Sequence, residues 1–263
     1  MSTGDPLRIA TWNVNSLNAR MPRVEEWLAE MAPDVVCLQE TKLPDTAFPA
    51  LVFQGLGYES VHHGQGQWNG VAILSRVGLE DPAFGFADGA PEDPDARIVS
   101  ARCAGVRVYS VYVPNGRSLD DDHYRYKLAW LERLRGLLDA EHDPAEPVAI
   151  CGDYNIAPDD RDVWDPGAFV GSTHVSEPER AAFRRLLDWG LVDTLRARYD
   201  HEGIYTYWDY RDGCFHKKMG MRIDHILASA ALAERLRFVL VDRNARKGSK
   251  PSDHTVLWAE FDR

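Results

Sequence analysis

Long apolar runs are the first thing this sequence lacks. None approaches the roughly 20 consecutive apolar residues of a membrane-spanning helix, although hydrophobic residues make up 44% of the 263. The first five residues are too short and too polar for a secretory signal, which predicts a cytoplasmic protein with no membrane partner. Cysteine is scarce as well. Cys37, Cys103, Cys151 and Cys214 show neither metal-binding nor redox spacing, so reduced, mostly buried thiols are expected. An excess of positive charge is also missing. Forty-one acidic residues against 30 Lys and Arg give a net charge of −11, which excludes a protein coated with a basic surface. A local basic face remains compatible, and carboxylates gathered around a metal would add to the acidic count. Finally, no Gly/Ser-rich linker or composition break divides the chain, which predicts one domain over residues 1–263.

What is present is organised around Ile150-Cys151-Gly152-Asp153-Tyr154-Asn155. Residues 147–150 read as a buried strand, and Gly152 allows the backbone a close approach. Asp153 and Asn155 then project to the same side, as residues i and i+2 do in extended backbone. Taken alone, this is equally a polar turn closing a strand.

Other strands end in the same manner. Residues 7–15 form a strand finishing in Asn13 and Asn15. A helix follows from Met21-Pro22, because proline suits a first turn; Val24, Trp27, Leu28 and Met31 mark its inner face. Residues 34–40 form a core strand finishing in Glu40. Strands are also expected at 69–75, 97–103 and 106–113, with a Gly/Pro/Asp-rich loop over 78–95. Residues 120–138 are helical with Leu128, Leu131, Leu134 and Leu138 on one face. Ser176-Glu177-Pro178-Glu179 is a capping box opening a helix that Gly190 closes. Residues 199–221 form an aromatic and basic loop, and strands return at 222–228, 237–241 and 255–261. Residues 243–250 form a basic loop before the turn Pro251-Ser252-Asp253-His254. About ten strands with few helices point to two packed sheets with helices outside. The two halves rhyme only faintly.

The strand-end polar groups are Asn13, Asn15, Glu40, Tyr112, Asn115, Asp153, Asn155, Asp224, Asp253 and His254. Singly, each Asn is more readily a turn former than a ligand. Jointly, they give a purpose to Glu40 and Asp224, which otherwise sit unpartnered in apolar strands. Carboxylates with amides, and no clustered cysteines, suit a hard cation such as Mg²⁺ or Mn²⁺. With a tyrosine and a histidine, they suit phosphoester hydrolysis.

These residues carry a resemblance. The chain resembles the exonuclease III family of abasic-site endonucleases, within the endonuclease/exonuclease/phosphatase superfamily. The matching segments are Ala10-Thr11-Trp12-Asn13-Val14-Asn15, Leu38-Gln39-Glu40-Thr41-Lys42, Asn69-Gly70-Val71-Ala72-Ile73, Tyr112-Val113-Pro114-Asn115-Gly116, Gly152-Asp153-Tyr154-Asn155-Ile156-Ala157-Pro158, Trp189-Gly190-Leu191-Val192-Asp193, Arg222-Ile223-Asp224 and Pro251-Ser252-Asp253-His254. They span nearly the whole chain in the family's order.

The resemblance implies an α+β fold, a four-layer αββα sandwich of two mixed sheets flanked by helices. It implies Mg²⁺ (or Mn²⁺) held by Glu40, with Asp253, Asn13, Asp153 and Asn155 as further ligands. Asp153 would orient or deprotonate the attacking water, Asn155 would stabilise the transition state, and Tyr112 would contact the scissile phosphate. His254, held by Asp224, would bind a phosphate oxygen. DNA contacts would come from Asn115, Arg117, Lys42, Lys217 and Arg222, with Lys218, Arg246, Lys247 and Lys250 adding phosphate contacts. Tyr207, Met221 and Ile223 would line a pocket for an extrahelical abasic sugar. Met221 departs from the bulkier wall usual there, and His225 from an apolar or aromatic neighbour to Asp224. The implied enzyme is a monomeric DNA-repair hydrolase acting on duplex DNA, 5′ of abasic sites and at 3′ ends. A phosphoesterase of the same superfamily acting on inositol phosphates or sphingolipids is the rival. A catalytically silent relative is the other, and it would be expected to have lost Glu40, Asp153 or His254.

Overall fold

The computed structural model describes residues 4–263. In chain order it runs β1 (Leu7–Asn13), α1 (Leu17–Met31), β2 (Val35–Gln39), α2 (Ala50–Gly55), β3 (Glu59–His63), β4 (Val71–Ser75) and β5 (Glu80–Phe84). It continues with β6 (Ile98–Cys103), β7 (Val106–Tyr112), α3 (Asp122–Glu141), β8 (Val148–Asp153), α4 (Glu177–Asp188) and β9 (Leu191–Asp193). Last come α5 (Cys214–Lys217), β10 (Asp224–Ser229), α6 (Ala230–Ala233), β11 (Leu236–Asp242) and β12 (Val256–Phe261).

Strands β2 and β8 are buried at every position, and β1 nearly so. Strands that apolar must lie inside a sheet covered on both faces. They do: one sheet has the order β11-β12-β1-β2-β4-β3 and the other β5-β6-β7-β8-β10-β9. Each has one parallel pair at its centre, β1 with β2 and β7 with β8. A parallel pair needs a crossover, and α1 and α3 supply it. The two strand orders correspond position by position, so the faint rhyme of the two halves is a repeated topology.

Three apolar clusters define the layers. Ile9, Cys37 and Ile73 from one sheet pack against Val108, Cys151 and Ile226 from the other, filling the space between them. Trp12, Val36 and Leu74 face α1 through Val24, Trp27 and Leu28. Tyr109, Ile150 and Leu227 face α3 and α4 through Trp130, Leu134, Phe183 and Leu186. The result is the αββα sandwich. Among the described residues, no helix is long and apolar enough to cross a membrane.

Several local expectations need correcting. The 78–95 loop contains β5, an exposed edge strand whose Pro82 and bulge between Glu80 and Ala83 are tolerated because an edge needs only one partner. Helices α1 and α3 also differ in detail. Helix α1 begins at Leu17, four residues early, because Ser16 and Leu17 donate their N–H groups to Glu40 O and Thr41 O at 2.7 and 3.0 Å. Tertiary anchoring therefore starts the helix, and Pro22 lies inside it. In α3, Leu128 is only partly buried, and Lys127 takes its place on the inner face.

Candidate active site

Both parallel pairs end at the same edge of the sandwich. Asn13 closes β1 and Glu40 follows β2; Tyr112 and Asp153 close β7 and β8, paired with one another. Gly152 allows β8 to lie this close to β7, since a Cβ there would fall 1.9 Å from Val111 O. Across the sandwich, Asn13 Nδ2 donates to Glu40 Oε1 and to Asp153 Oδ2, both at 2.9 Å. One amide thus joins carboxylates from opposite sheets. Asp224 begins β10 opposite Asp153, and its Oδ2 accepts from His254 Nδ1 at 2.8 Å. That bond aims His254 Nε2 toward Asp153 Oδ2, 3.7 Å away. Potential ligand atoms of Glu40, Asp153 and His254 all lie within 4.8 Å of one another.

The rim is cross-linked in the same way. Lys42 Nζ lies 2.9 Å from Glu40 Oε2 and donates to Asn15 Oδ1 at 2.5 Å. Asn15 Nδ2 donates to Asp253 Oδ1 at 3.0 Å. The backbone is bent to make these contacts: Asn15, Glu40, Lys42 and Asn155 all have positive φ, at 43°, 51°, 53° and 50°. Non-glycine residues rarely adopt that region, and such strain concentrates at functional sites.

The electrostatics are unbalanced. Glu40, Asp153, Asp224 and Asp253 are four carboxylates facing two cations, Lys42 and His254. Asp224 Oδ1 is buried with no hydrogen-bond partner among the described residues. Burial pushes the Asp153 carboxyl up to about 7, with His254 opposing and Asp224 adding to the rise. Burial also opposes charge on His254, but Asp224 and Asp153 outweigh it and push the imidazole up to about 10. Glu40 is raised by burial and lowered more strongly by Lys42, Asn13 and His254, ending below its usual range. Burial, Glu40 and Asp153 push the Tyr112 phenol well up, so it stays a donor. Buried oxygen donors with surplus negative charge fit a hard divalent cation.

Three residues that the sequence did not single out, His174, Lys127 and Thr173, support Asn155 and its neighbours from behind. Asn155 Nδ2 donates to Val113 O at 3.0 Å, and its Oδ1 accepts from Asn115 Nδ2 at 3.1 Å. Those contacts engage the amide expected as a metal ligand. His174 Nε2 also approaches Asn155 Oδ1, at 3.1 Å. Beneath them Lys127, fully buried on α3, donates to Asn155 O at 2.7 Å and to Glu179 Oε1 at 2.5 Å. Glu179 also accepts from Thr173 Oγ1 at 2.7 Å and from the Ser176 N–H at 3.1 Å. The capping box is real, but its glutamate also holds a buried lysine under the site. One signal was available: Lys127 sits in the buried register with Leu131, Leu134 and Leu138.

The expected DNA contacts divide. Asn115, Arg117 and Lys217 are exposed. Tyr207 is partly exposed with its ring 4.9 Å from that of His254, and Met221 pairs with it through the backbone. Ile223 is 1% exposed and Met221 only 8%; both belong to one buried apolar cluster with Val163, against which Tyr207 packs. Arg222 requires a correction. It is fully buried, and its guanidinium donates to Asp162 Oδ1 and Asp193 Oδ2, both at 2.7 Å. Its charge is answered inside the fold and cannot reach DNA. The same cluster accounts for His225, whose Nδ1 lies 2.9 Å from Arg222 Nη1 and whose Nε2 donates to Ile156 O at 3.0 Å. Arg246 is likewise buried, with its guanidinium 4.4 Å over the Phe215 ring.

Known proteins resemble this chain over nearly its whole length. Residues 10–254 match the model of the endonuclease/exonuclease/phosphatase family. The chain is 35% identical to exodeoxyribonuclease III of Haemophilus influenzae over 270 residues, covering 97% of this chain and 100% of that one. It superposes with a TM-score of 0.94 on an AP endonuclease from Archaeoglobus fulgidus, at 42% identity, covering 98% of this chain and 100% of that one. A 3′ phosphatase from Neisseria bound to a product DNA hairpin gives 0.93 at 43% identity, with 98% and 100% covered.

Proposed function

The chain belongs to the endonuclease/exonuclease/phosphatase family, and from that premise we propose that it is a DNA-repair hydrolase of exodeoxyribonuclease III type. It cleaves phosphoester bonds at 3′ ends and 5′ of abasic sites in duplex DNA, as a cytoplasmic monomer. The observation that carries the reading is the meeting of Glu40, Asp153 and His254 within 4.8 Å, brought from both sheets and the C-terminal turn, with Asn13 bonded to both carboxylates.

Glu40 and Asp153 would hold Mg²⁺, with Asn13 and Asp253 helping directly or through water. The ion, when bound, supplies charge neutralisation at a phosphate oxygen. The chain's own groups do the rest. Asp153 takes the proton of the attacking water. His254, oriented by Asp224, directs Nε2 at a phosphate oxygen, and the Tyr112 hydroxyl donates to another. Asn155 has one N–H engaged by Val113 O, leaving the second for the developing charge. Arrayed donors and one base suit in-line displacement at phosphorus without a covalent intermediate. Tyr207, backed by the buried Met221 and Ile223, forms the apolar wall that accepts an extrahelical sugar.

The test is hydrolysis of a 3′-phosphorylated duplex and an abasic duplex beside inositol phosphates, with Mg²⁺ and with chelator. Both DNA substrates should be cleaved, with chelation reducing the rate by roughly a thousandfold or more. Hydrolysis of inositol phosphates in place of DNA would sink the reading.

A further inference from the structure

We infer that Trp68 and the pocket behind it form a stacking seat for a nucleotide flanking the scissile phosphate, on the Tyr112–Asn115 side of the site. The inference rests on the DNA-hydrolase reading above. A pocket of about 370 Å³ is lined by Trp68, Asn69, Arg97, Tyr112, Asn115 and Arg117, among others. Two of these, Tyr112 and Asn115, are site residues, so an occupant lies directly beside the reacting phosphate.

Trp68 is 65% exposed. Exposure alone does not call for a ligand, but an open aromatic face that lines the same pocket as Tyr112 and Asn115 is placed to stack on one. Its backbone is fixed relative to the site. Lys42 N–H donates to Asn69 O at 2.9 Å, Thr41 N–H to Gly70 O at 3.1 Å, and Gly70 N–H to Ala96 O at 3.0 Å. Gly70 has a φ of +91°, and a Cβ there would fall 2.2 Å from Thr41 Oγ1. The segment carrying the indole is therefore bonded to the residues immediately after Glu40.

The rest of the lining selects the occupant. Arg97 is paired with Asp95 at 2.9 Å and lies 4.8 Å over the Tyr112 ring, so its charge is already answered. Arg117 has a 63% exposed side chain and only a 4.0 Å approach to Asp121. A flat aromatic face, amides and one available guanidinium match a base with its backbone phosphate. Base stacking on an aromatic is worth about 1–3 kcal/mol.

The experiment measures steady-state hydrolysis of a duplex with a recessed 3′ end by wild type, Trp68→Ala and Trp68→Phe. The split between KM and kcat on that substrate separates binding from chemistry. Trp68→Ala should raise KM for DNA about tenfold, equivalent to about 1.4 kcal/mol. The kcat should hardly move, and Trp68→Phe should recover most of the loss. An unchanged DNA KM in Trp68→Ala overturns the seat while leaving the DNA reading intact. A loss carried in kcat with KM unchanged also overturns it, because Trp68 would then act on the chemistry. Failure of wild type to cleave any DNA sinks both.

Discussion

Two buried charge clusters lie a few residues apart in this chain, and they are built on opposite principles. Around Arg222, the carboxylates of Asp162 and Asp193 are met by the guanidinium, Asp162 also by Arg196, and His225 remains neutral. Every charge there has a partner. Around Asp153, carboxylates outnumber cations, Asp224 Oδ1 has no partner among the described residues, and the backbone on the β1–β2 side is forced into left-handed φ at Asn15, Glu40 and Lys42. A balanced buried cluster is compatible with a purely structural part, because paired and hydrogen-bonded ions no longer oppose folding. An unbalanced one destabilises its own fold and persists only where an added ligand completes it. Arg222 and Asp224 are two residues apart, yet they belong to different clusters.

The largest effect that would sharpen this contrast is at Asp153. Asp153→Asn removes a base and a ligand but relieves surplus negative charge. Incision should fall by roughly a thousandfold or more, about 4 kcal/mol in the barrier. DNA binding should persist, and the metal-free melting temperature should hold or rise. Wild-type-like incision would remove Asp153 from the chemistry, and a steep fall in melting temperature would erase the contrast between the clusters.

Arg222→Met is the mirror experiment. It leaves Asp162 and Asp193 buried without their principal partner, and breaking such a pair costs about 3–5 kcal/mol of stability. Turnover per folded molecule should be largely retained. Loss of turnover with an unchanged melting temperature would place Arg222 in the site instead.

What the sequence disclosed follows from this difference. Strand ends carrying polar groups were legible because an apolar run followed by Asn, Glu or Asp is a local pattern, and each of Asn13, Glu40, Tyr112 and Asp153 lies at such an end. The layer architecture followed from the buried strands themselves. Partnership was not legible. Arg222 is 60 residues from Asp162 and 29 from Asp193, so a basic residue beside a catalytic motif looked like a phosphate contact. Lys127 and Glu179 meet across 52 residues; one was hidden in a helical stripe and the other in a capping box. The edge strand β5 was missed because its proline and bulge read as loop, which only a neighbouring β6 overrides.

The smallest effect tests whether the balance around Arg222 depends on His225 being neutral. Burial, reinforced by Arg222, pushes the His225 imidazole down from 6.5 to about 4. Above pH 6.5 the ring is neutral in both folded and unfolded chains. As pH falls below that, the unfolded chain takes up a proton that the folded one refuses until about pH 4. Stability attributable to His225 is therefore fully present above pH 6.5 and is lost as pH falls toward 4, by about 3 kcal/mol. His225→Gln retains an acceptor for Arg222 and a donor for Ile156 O but has no proton to gain. At pH 7 it should be slightly less stable than wild type, by about 1 kcal/mol for poorer hydrogen-bond geometry. Near pH 4.5 the order should reverse. Other histidines pushed down by burial, such as His174, contribute equally to both proteins and cancel in the difference. Parallel stability profiles for the two proteins from pH 7 to 4.5 would mean that the ring is already protonated in the fold, and the cluster would then carry a positive charge it has no carboxylate to meet.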